Sequence, residues 1–374
     1  MRYIIAFLAL IGGGISGAQA APSTNTADWF IDPATGVVTW VTPSEATIPN
    51  DATGNMIRYG KLLLTETYKY LGAESSMAYS GNRISCSNCH MDSGTTAFGT
   101  PWAVVWFKYG AGGPGPYSPR SDRFLDMKNR IHDCMLRSMN GRQLPDDSYE
   151  LNSMIEYMKW LSSGMQITDW TKVVGQGNIK VSDLTRPTDP VRGKTIYEDQ
   201  CAACHQSDGG GVWDADGKKY VYPAVWGPNS FTNGAGMYRL RTSVGFIRGN
   251  MPYGWANASD PLRQLSAADA WDVMAYVISN DRPAYSGYLS DWSGYTPANC
   301  MPNWVRKTVD AGYPNYFPRV KPDGTLTGDL AYPEKYTPDQ HKYGPWAAMI
   351  TEQTNLQNQY LAAPNTPPNC QPWP

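Results

Sequence analysis

The chain has 374 residues, of which 41% are hydrophobic and 17% charged, and a formal net charge of −2 at pH 7. The hydrophobic content supports packed cores and excludes a disordered chain, the length predicts more than one domain, and the balanced charge excludes a strongly basic nucleic-acid binder. Seven cysteines, an odd number, cannot all pair among themselves.

Residues 1–20 carry the pattern of a signal peptide: Arg2, an apolar run from Tyr3 to Ile11, and Ala18-Gln19-Ala20 as a small-x-small cleavage site. The apolar run is shorter than a bilayer span and breaks at Gly12-Gly13-Gly14. No later stretch is long and apolar enough to span. The expectation is a periplasmic chain without a membrane span, in a compartment where a spare cysteine needs a reason.

A helix is predicted over Asn55 to Leu71, followed by Cys86-Ser87-Asn88-Cys89-His90. C-x-x-C-H is the attachment pattern of haem c: the thiols add to the haem vinyl groups and the adjacent imidazole binds the iron. Zinc is the competing reading, but it needs four ligands per site, and only His132 and His341 remain as further imidazoles. The pattern recurs at Cys201-Ala202-Ala203-Cys204-His205, so two covalent haems c are expected, with Cys86, Cys89, Cys201 and Cys204 as tethers and His90 and His205 as iron ligands.

Between the motifs, a helix from Lys128 carries Cys134 and ends at Asn140-Gly141. A second covers Asp147 to Leu161, with Leu151, Met154, Ile155, Met158 and Leu161 at helical spacing. A third covers Asp189 to Gln200. After the second motif comes a loop bearing Met251-Pro252. A closing helix over Ser266 to Ile278 is opened by Ser266 with Asp269 three residues on, a capping pattern. The order helix, motif, loop, distal ligand, closing helix thus occurs twice and looks like the class I cytochrome c fold. The expected architecture is mainly α, with cytochrome c-like domains at 21–180 and 181–290.

Met251 follows His205 by 46 residues and is the natural second ligand of the second iron. Arg248 and Asn250 flank it as candidates to tune that iron or the haem propionates. The same ruler places Cys134, 44 residues after His90, at the first iron. Met135, Met139 and His132 are nearby alternatives, and a disulfide is another use for Cys134. Cys300 and Cys370 are free to pair with each other, which leaves Cys134 as the odd thiol and favours ligation. Residues 291–374 hold 13 of the 29 prolines and no third motif; they read as an extended segment wrapped over the two domains, with a disordered tail beyond about residue 355.

The combination resembles the dihaem thiosulfate dehydrogenases, which can also run as tetrathionate reductases. The resemblance rests on Gly81 to His90, Arg130 to Gly141, Val225-Trp-Gly-Pro-Asn-Ser-Phe-Thr-Asn-Gly-Ala-Gly-Met237, Phe246-Ile-Arg-Gly-Asn-Met-Pro252 and Gln340-His-Lys-Tyr-Gly-Pro345. It implies an enzyme that joins two thiosulfates into tetrathionate at a His/Cys-ligated haem and passes two electrons through a second haem to a cytochrome c carrier. Some relatives place a Lys beside the Met at the second haem. Here that position is Asn250, so plain His/Met ligation is expected. By resemblance, Arg120, Arg130 and Ser138 match the family's substrate-contacting positions.

The residue types suit that chemistry. Two thiosulfate dianions meeting at one site repel and need fixed positive charge, and a guanidinium offers paired donors to sulfonate oxygens as it does to phosphate. Arg130 and Ser138 lie four residues on either side of Cys134, on one helical face, while Arg120 enters from the preceding loop; Arg123, Arg137 and Arg142 are rivals. A thiolate should lower the first iron's potential and a Met raise the second's. A non-catalytic dihaem electron carrier, the alternative from another class, leaves Cys134 and its arginines without a purpose. A dihaem peroxidase needs an open coordination position that a ligating Cys134 would fill.

Overall fold

The computed structural model describes residues 30–110, 115–118, 120–121, 123–287, 291, 343–348 and 351. The expected signal peptide, His341, Cys300, Cys370 and the tail beyond residue 355 lie outside the described residues. The described chain is mainly helical: α1 (Ala52–Thr65), α2 (Thr67–Tyr70), α3 (Met91–Gly94), α4 (Val105–Tyr109), α5 (Met127–Arg137), α6 (Tyr149–Ser162), α7 (Pro190–Gln200), α8 (Ala202–His205), α9 (Leu240–Asn250) and α10 (Ala267–Ser279). Two small antiparallel hairpins complete it, β1 (Tyr117–Ser118) with β2 (Arg123–Phe124), and β3 (Val212–Trp213) with β4 (Tyr220–Tyr222).

Helix starts follow the capping residues that the sequence offers. Asp51, Asp126, Ser148, Asp189 and Ser266 each accept from a backbone N–H in the first turn of α1, α5, α6, α7 and α10. The predicted helix over Asn55 to Leu71 breaks at Glu66, where Thr67 Oγ1 donates back to the Leu63 carbonyl at 2.7 Å and competes with the helical ladder. The segment before Met251 is the helix α9, not a loop, and Met251 is its extended C-cap residue.

The same packing unit occurs twice. α1 lies against α6, and α7 against α10. Each pair crosses at a glycine. A Cβ on Gly60 would stand 1.9 Å from the Ser153 carbonyl oxygen, and one on Gly193 would stand 1.9 Å from that of Asp272. Only hydrogen at those positions permits backbones so close. Apolar side chains gather correspondingly into two clusters, one including Leu63, Leu64, Leu151, Met154 and Leu161, the other Tyr197, Leu240, Trp271, Val273 and Ile278.

The halves interlock rather than merely adjoin. Trp213 and Tyr220 of the β3–β4 hairpin stack at 3.8 Å and join the first cluster, with Arg83 lying 5.0 Å over Trp213. Of the C-terminal segment, three described places touch the body. Asp291 pairs with Arg137, the Tyr343 carbonyl accepts from Thr188 N–H at 2.8 Å, and Trp346, 1% exposed, packs on Trp271.

Two substitutions test this frame. Gly60→Ala should cost about 2 kcal/mol in denaturant unfolding although alanine favours a helix by about 1 kcal/mol, because the new methyl forces α1 off α6. The Asp272 carboxylate is fully buried and accepts from Arg186, Arg192 and the Asp189 N–H. Burial works against ionisation there, but those donors outweigh it and hold the carboxyl below its ordinary value. Its stabilisation is therefore present above the unfolded value of 3.8 and is lost as pH falls through the lowered folded one. Asp272→Asn should cost about 2 kcal/mol at neutral pH, less than a fully buried pair since the guanidiniums are half-exposed. Thermal melts should show that gap closing in strong acid.

Candidate active site

Each C-x-x-C-H motif presents its histidine in the same manner. His90 Nδ1 donates to the Thr100 carbonyl at 2.5 Å, and His205 Nδ1 to the Pro223 carbonyl at 2.8 Å. With Nδ1–H engaged, the free lone pair is on Nε2, the arrangement a metal-binding imidazole needs. Burial pulls His90 down to about 4 and lowers His205 as well, so both rings are neutral. Trp102 stacks on the His90 ring at 4.8 Å. The loop that returns the Thr100 carbonyl to His90 holds Asp92, Ser93, Phe98 and Thr100 at positive φ, a strained path that the surrounding contacts hold in place.

The motifs open on two clefts. The first, of about 250 Å³, is lined by Cys86, Cys89, His90, Trp102, Met154 and Met158 and, across from the histidine, by Arg130, Cys134, Met135, Ser138 and Met139. The second, of about 460 Å³, is lined by Cys201, Cys204, His205, Phe246, Met251 and Met274. Paired cysteines, a neutral histidine with Nε2 free and mostly apolar walls fit covalent haem c. Among the described residues no group of three or more His, Cys, Asp and Glu side chains gathers as a bare metal ion would need.

The distal wall of the first cleft is the face of α5 that the four-residue spacing describes. Arg130 Nη1 donates to Cys134 Sγ at 2.9 Å, and Ser138 lines the same cleft one turn on. The Cys134 sulfur raises Arg130 above its ordinary value, outweighing the opposing burial. Among the described residues Cys134 forms no disulfide. His132 does not line the cleft; it is buried, with Nε2 3.7 Å from Asp146. Of the arginines, Arg120, Arg123 and Arg137 converge on Asp133 instead of lining the cleft. Arg142 lies apart, donating to the Met77 and Ala78 carbonyls and lying 4.2 Å over Tyr79.

In the second cleft Met251 stands with His205, and its neighbours are held by backbone carbonyls. Asn250 is buried and donates to the Phe98 and Phe246 carbonyls, both at 2.9 Å, which ties α9 to the loop behind His90. Arg248 Nε donates to the Leu265 carbonyl at 3.0 Å.

Several site residues have contacts that the sequence does not show. Asn82, 2% exposed, donates to the Ser138 carbonyl at 2.9 Å and the Ser230 carbonyl at 3.2 Å, joining the end of α5 to the other half. Ile84, Cys89, Phe231 and Met237 line both clefts. Phe231 and Met237 lie in the Val225–Met237 stretch that carries the family resemblance, yet only the fold reveals that they line both clefts.

Comparison with known proteins now bears on this geometry. Residues 190–281 match the family model of cytochrome c, which makes haem c the cofactor. The thiosulfate dehydrogenase of Allochromatium vinosum is 38% identical over 253 residues, covering 67% of this chain and 86% of that protein. This chain belongs to the thiosulfate dehydrogenase family. It is accordingly an oxidoreductase. The family's member from Psychrobacter arcticus is 35% identical over 276 residues, or 74% of this chain and 77% of that one. The solved thiosulfate dehydrogenase TsdBA of Marichromatium purpuratum, in its as-isolated form, superposes with a TM-score of 0.60 at 27% identity over 78% of this chain. The chain spans 57% of that structure's length. Among the described residues no helix is long and apolar enough to cross a membrane.

Asn82 gives a test of how the distal wall is held. Asn82→Ala strands the buried Ser138 and Ser230 carbonyls and should cost about 2 kcal/mol, read as a lower melting midpoint. An unchanged midpoint would show that those carbonyls find other donors.

Proposed function

We propose that this chain couples two thiosulfate ions to tetrathionate, releasing two electrons, in the first cleft, and that the reaction can run in reverse as tetrathionate reduction. The observation that carries the reading is the 2.9 Å contact of Arg130 with Cys134 Sγ in the cleft of the first C-x-x-C-H motif. Two covalent haems c are proposed, tethered by Cys86 and Cys89 and by Cys201 and Cys204. Their irons are held by His90 with Cys134 and by His205 with Met251. Bound haem supplies a one-electron acceptor in each cleft, and a small cytochrome c, soluble or membrane-linked, is the proposed external carrier. The signal-like segment at 1–20 supports a periplasmic location.

The chain's own residues suit the coupling. Each thiosulfate carries two negative charges; Arg130 and the Ser138 hydroxyl, in the cleft lining, would orient them, and Arg120, held at Asp133 outside that lining, would add positive charge from behind. Cys134 thiolate and the outer sulfur of one thiosulfate form a sulfur–sulfur bond with loss of two electrons. The outer sulfur of the second thiosulfate then attacks that same bridging sulfur. Tetrathionate leaves and the Cys134 thiolate returns, as in thiol–disulfide exchange. Charge balances without a proton: four negative charges enter, two leave on tetrathionate and two leave as electrons.

Purified holoprotein should reduce ferricyanide only when thiosulfate is present and should form tetrathionate. Cys134→Gly and Cys134→Met should keep both haems and lose at least about a hundredfold of the turnover. Wild-type turnover in either variant would defeat the role given to Cys134. In the oxidised protein, Met251→Gly should abolish the red absorption band of Met–iron ligation and leave the tethered haem in place.

A further inference from the structure

One charged cluster lies outside the proposed reaction. Asp133 precedes Cys134 on α5, and consecutive helical residues face different ways, so its side chain points away from the cleft. Its carboxylate is 1% exposed and saturated with donors. Oδ1 accepts from Arg123 at 2.8 Å and from Arg137 at 2.9 Å. Oδ2 accepts from the Ser121 hydroxyl at 2.7 Å and pairs with Arg120 at 3.4 Å. Arg137 is further neutralised by Asp291 and covered by Tyr285, 4.6 Å beneath its guanidinium. Arg120 and Arg123 have no second carboxylate among the described ion pairs, and the Nε of each is buried without a hydrogen-bond partner among the described residues.

We infer that Asp133 is the positioning residue for thiosulfate: it gathers the loop carrying Arg120, Ser121 and Arg123 onto the back of the Cys134 helix and so holds fixed positive charge beside the cleft. The inference rests on the proposed thiosulfate reaction and adds to it the device that places Arg120. Buried guanidiniums this close repel one another: burial, Arg239 and Arg137 together pull Arg120 down to about 10, against which Asp133 acts in the opposite direction. Two carboxylates, Asp133 and Asp291, among three arginines hold the cluster together and leave it positive by one charge, which a dianionic substrate requires. The cluster is anchored on the element that carries the reacting sulfur.

Asp133→Asn keeps the shape, removes the charge and loses one acceptor. KM for thiosulfate should rise about tenfold or more while kcat falls less than about threefold, with an unaltered haem absorption spectrum. Tetrathionate binding to the oxidised protein, measured by calorimetry, should weaken by a similar factor. In the double variant, Arg120→Ala should add little to Asp133→Asn, since both remove the same placed charge. Ser121→Ala, which loses a single hydrogen bond and should fold normally, is expected to raise KM about twofold to threefold at an unchanged melting midpoint. The inference is overturned by unchanged KM and tetrathionate affinity in Asp133→Asn and Ser121→Ala, or by additive effects of Asp133→Asn and Arg120→Ala. Absence of thiosulfate turnover in the wild type would remove the proposed function itself, and this inference with it.

Discussion

A buried cation in an apolar cleft is costly to hold unless a hydrogen-bond acceptor is buried with it. Arg130, one helical turn before Cys134, is that cation, at 2.9 Å. Much of the first half serves to keep this pair in place. Asp126 caps the start of α5, Asn82 anchors the carbonyl at its end, and Met135 and Met139 pack the same helix into the core. On its opposite face Asp133 binds the loop of Arg120 and Arg123. One eleven-residue helix thus carries the thiol, the cation beside it and the anchor of a second arginine group.

The second half repeats the frame without the charge. It too has a glycine-crossed helix pair, a histidine fixed through Nδ1 to a carbonyl, and a sulfur side chain across the cleft. Met251 needs no counter-ion, and among the described residues its cleft lining includes no arginine. A sulfur held by an arginine in one cleft and a sulfur whose cleft lining includes none in the other separate two otherwise similar clefts. Ile84, Cys89, Phe231 and Met237, shared by both linings, keep those clefts adjacent.

The parts legible in the sequence were those set by local rules. The C-x-x-C-H motifs are contiguous, the cap at Ser266 acts within one turn, and the repeat spacing that pointed to Cys134 reflects a shared frame. Helix α9 escaped because Thr242, Ser243, Gly245 and Gly249 lower its intrinsic propensity, and tertiary packing overrides that preference. The convergence of Arg120, Arg123 and Arg137 on Asp133, the reach of Asn82 to Ser230, and the insertion of Trp213 and Tyr220 into the other half's core depend on contacts between distant segments. No periodicity records them. Charge alone therefore left five arginines as rivals, and the fold separated Arg130 at the cleft, the three held at Asp133 and Arg142 on the surface.

The most direct test of the account is a crystal structure of the oxidised holoprotein exposed to thiosulfate, with sulfur located by anomalous scattering. Added sulfur at Cys134 Sγ, within reach of Arg130 and Ser138 in the first cleft, is the expected result. Added sulfur at Met251 in the second cleft, with Cys134 unmodified and no anion near Arg130, would contradict it.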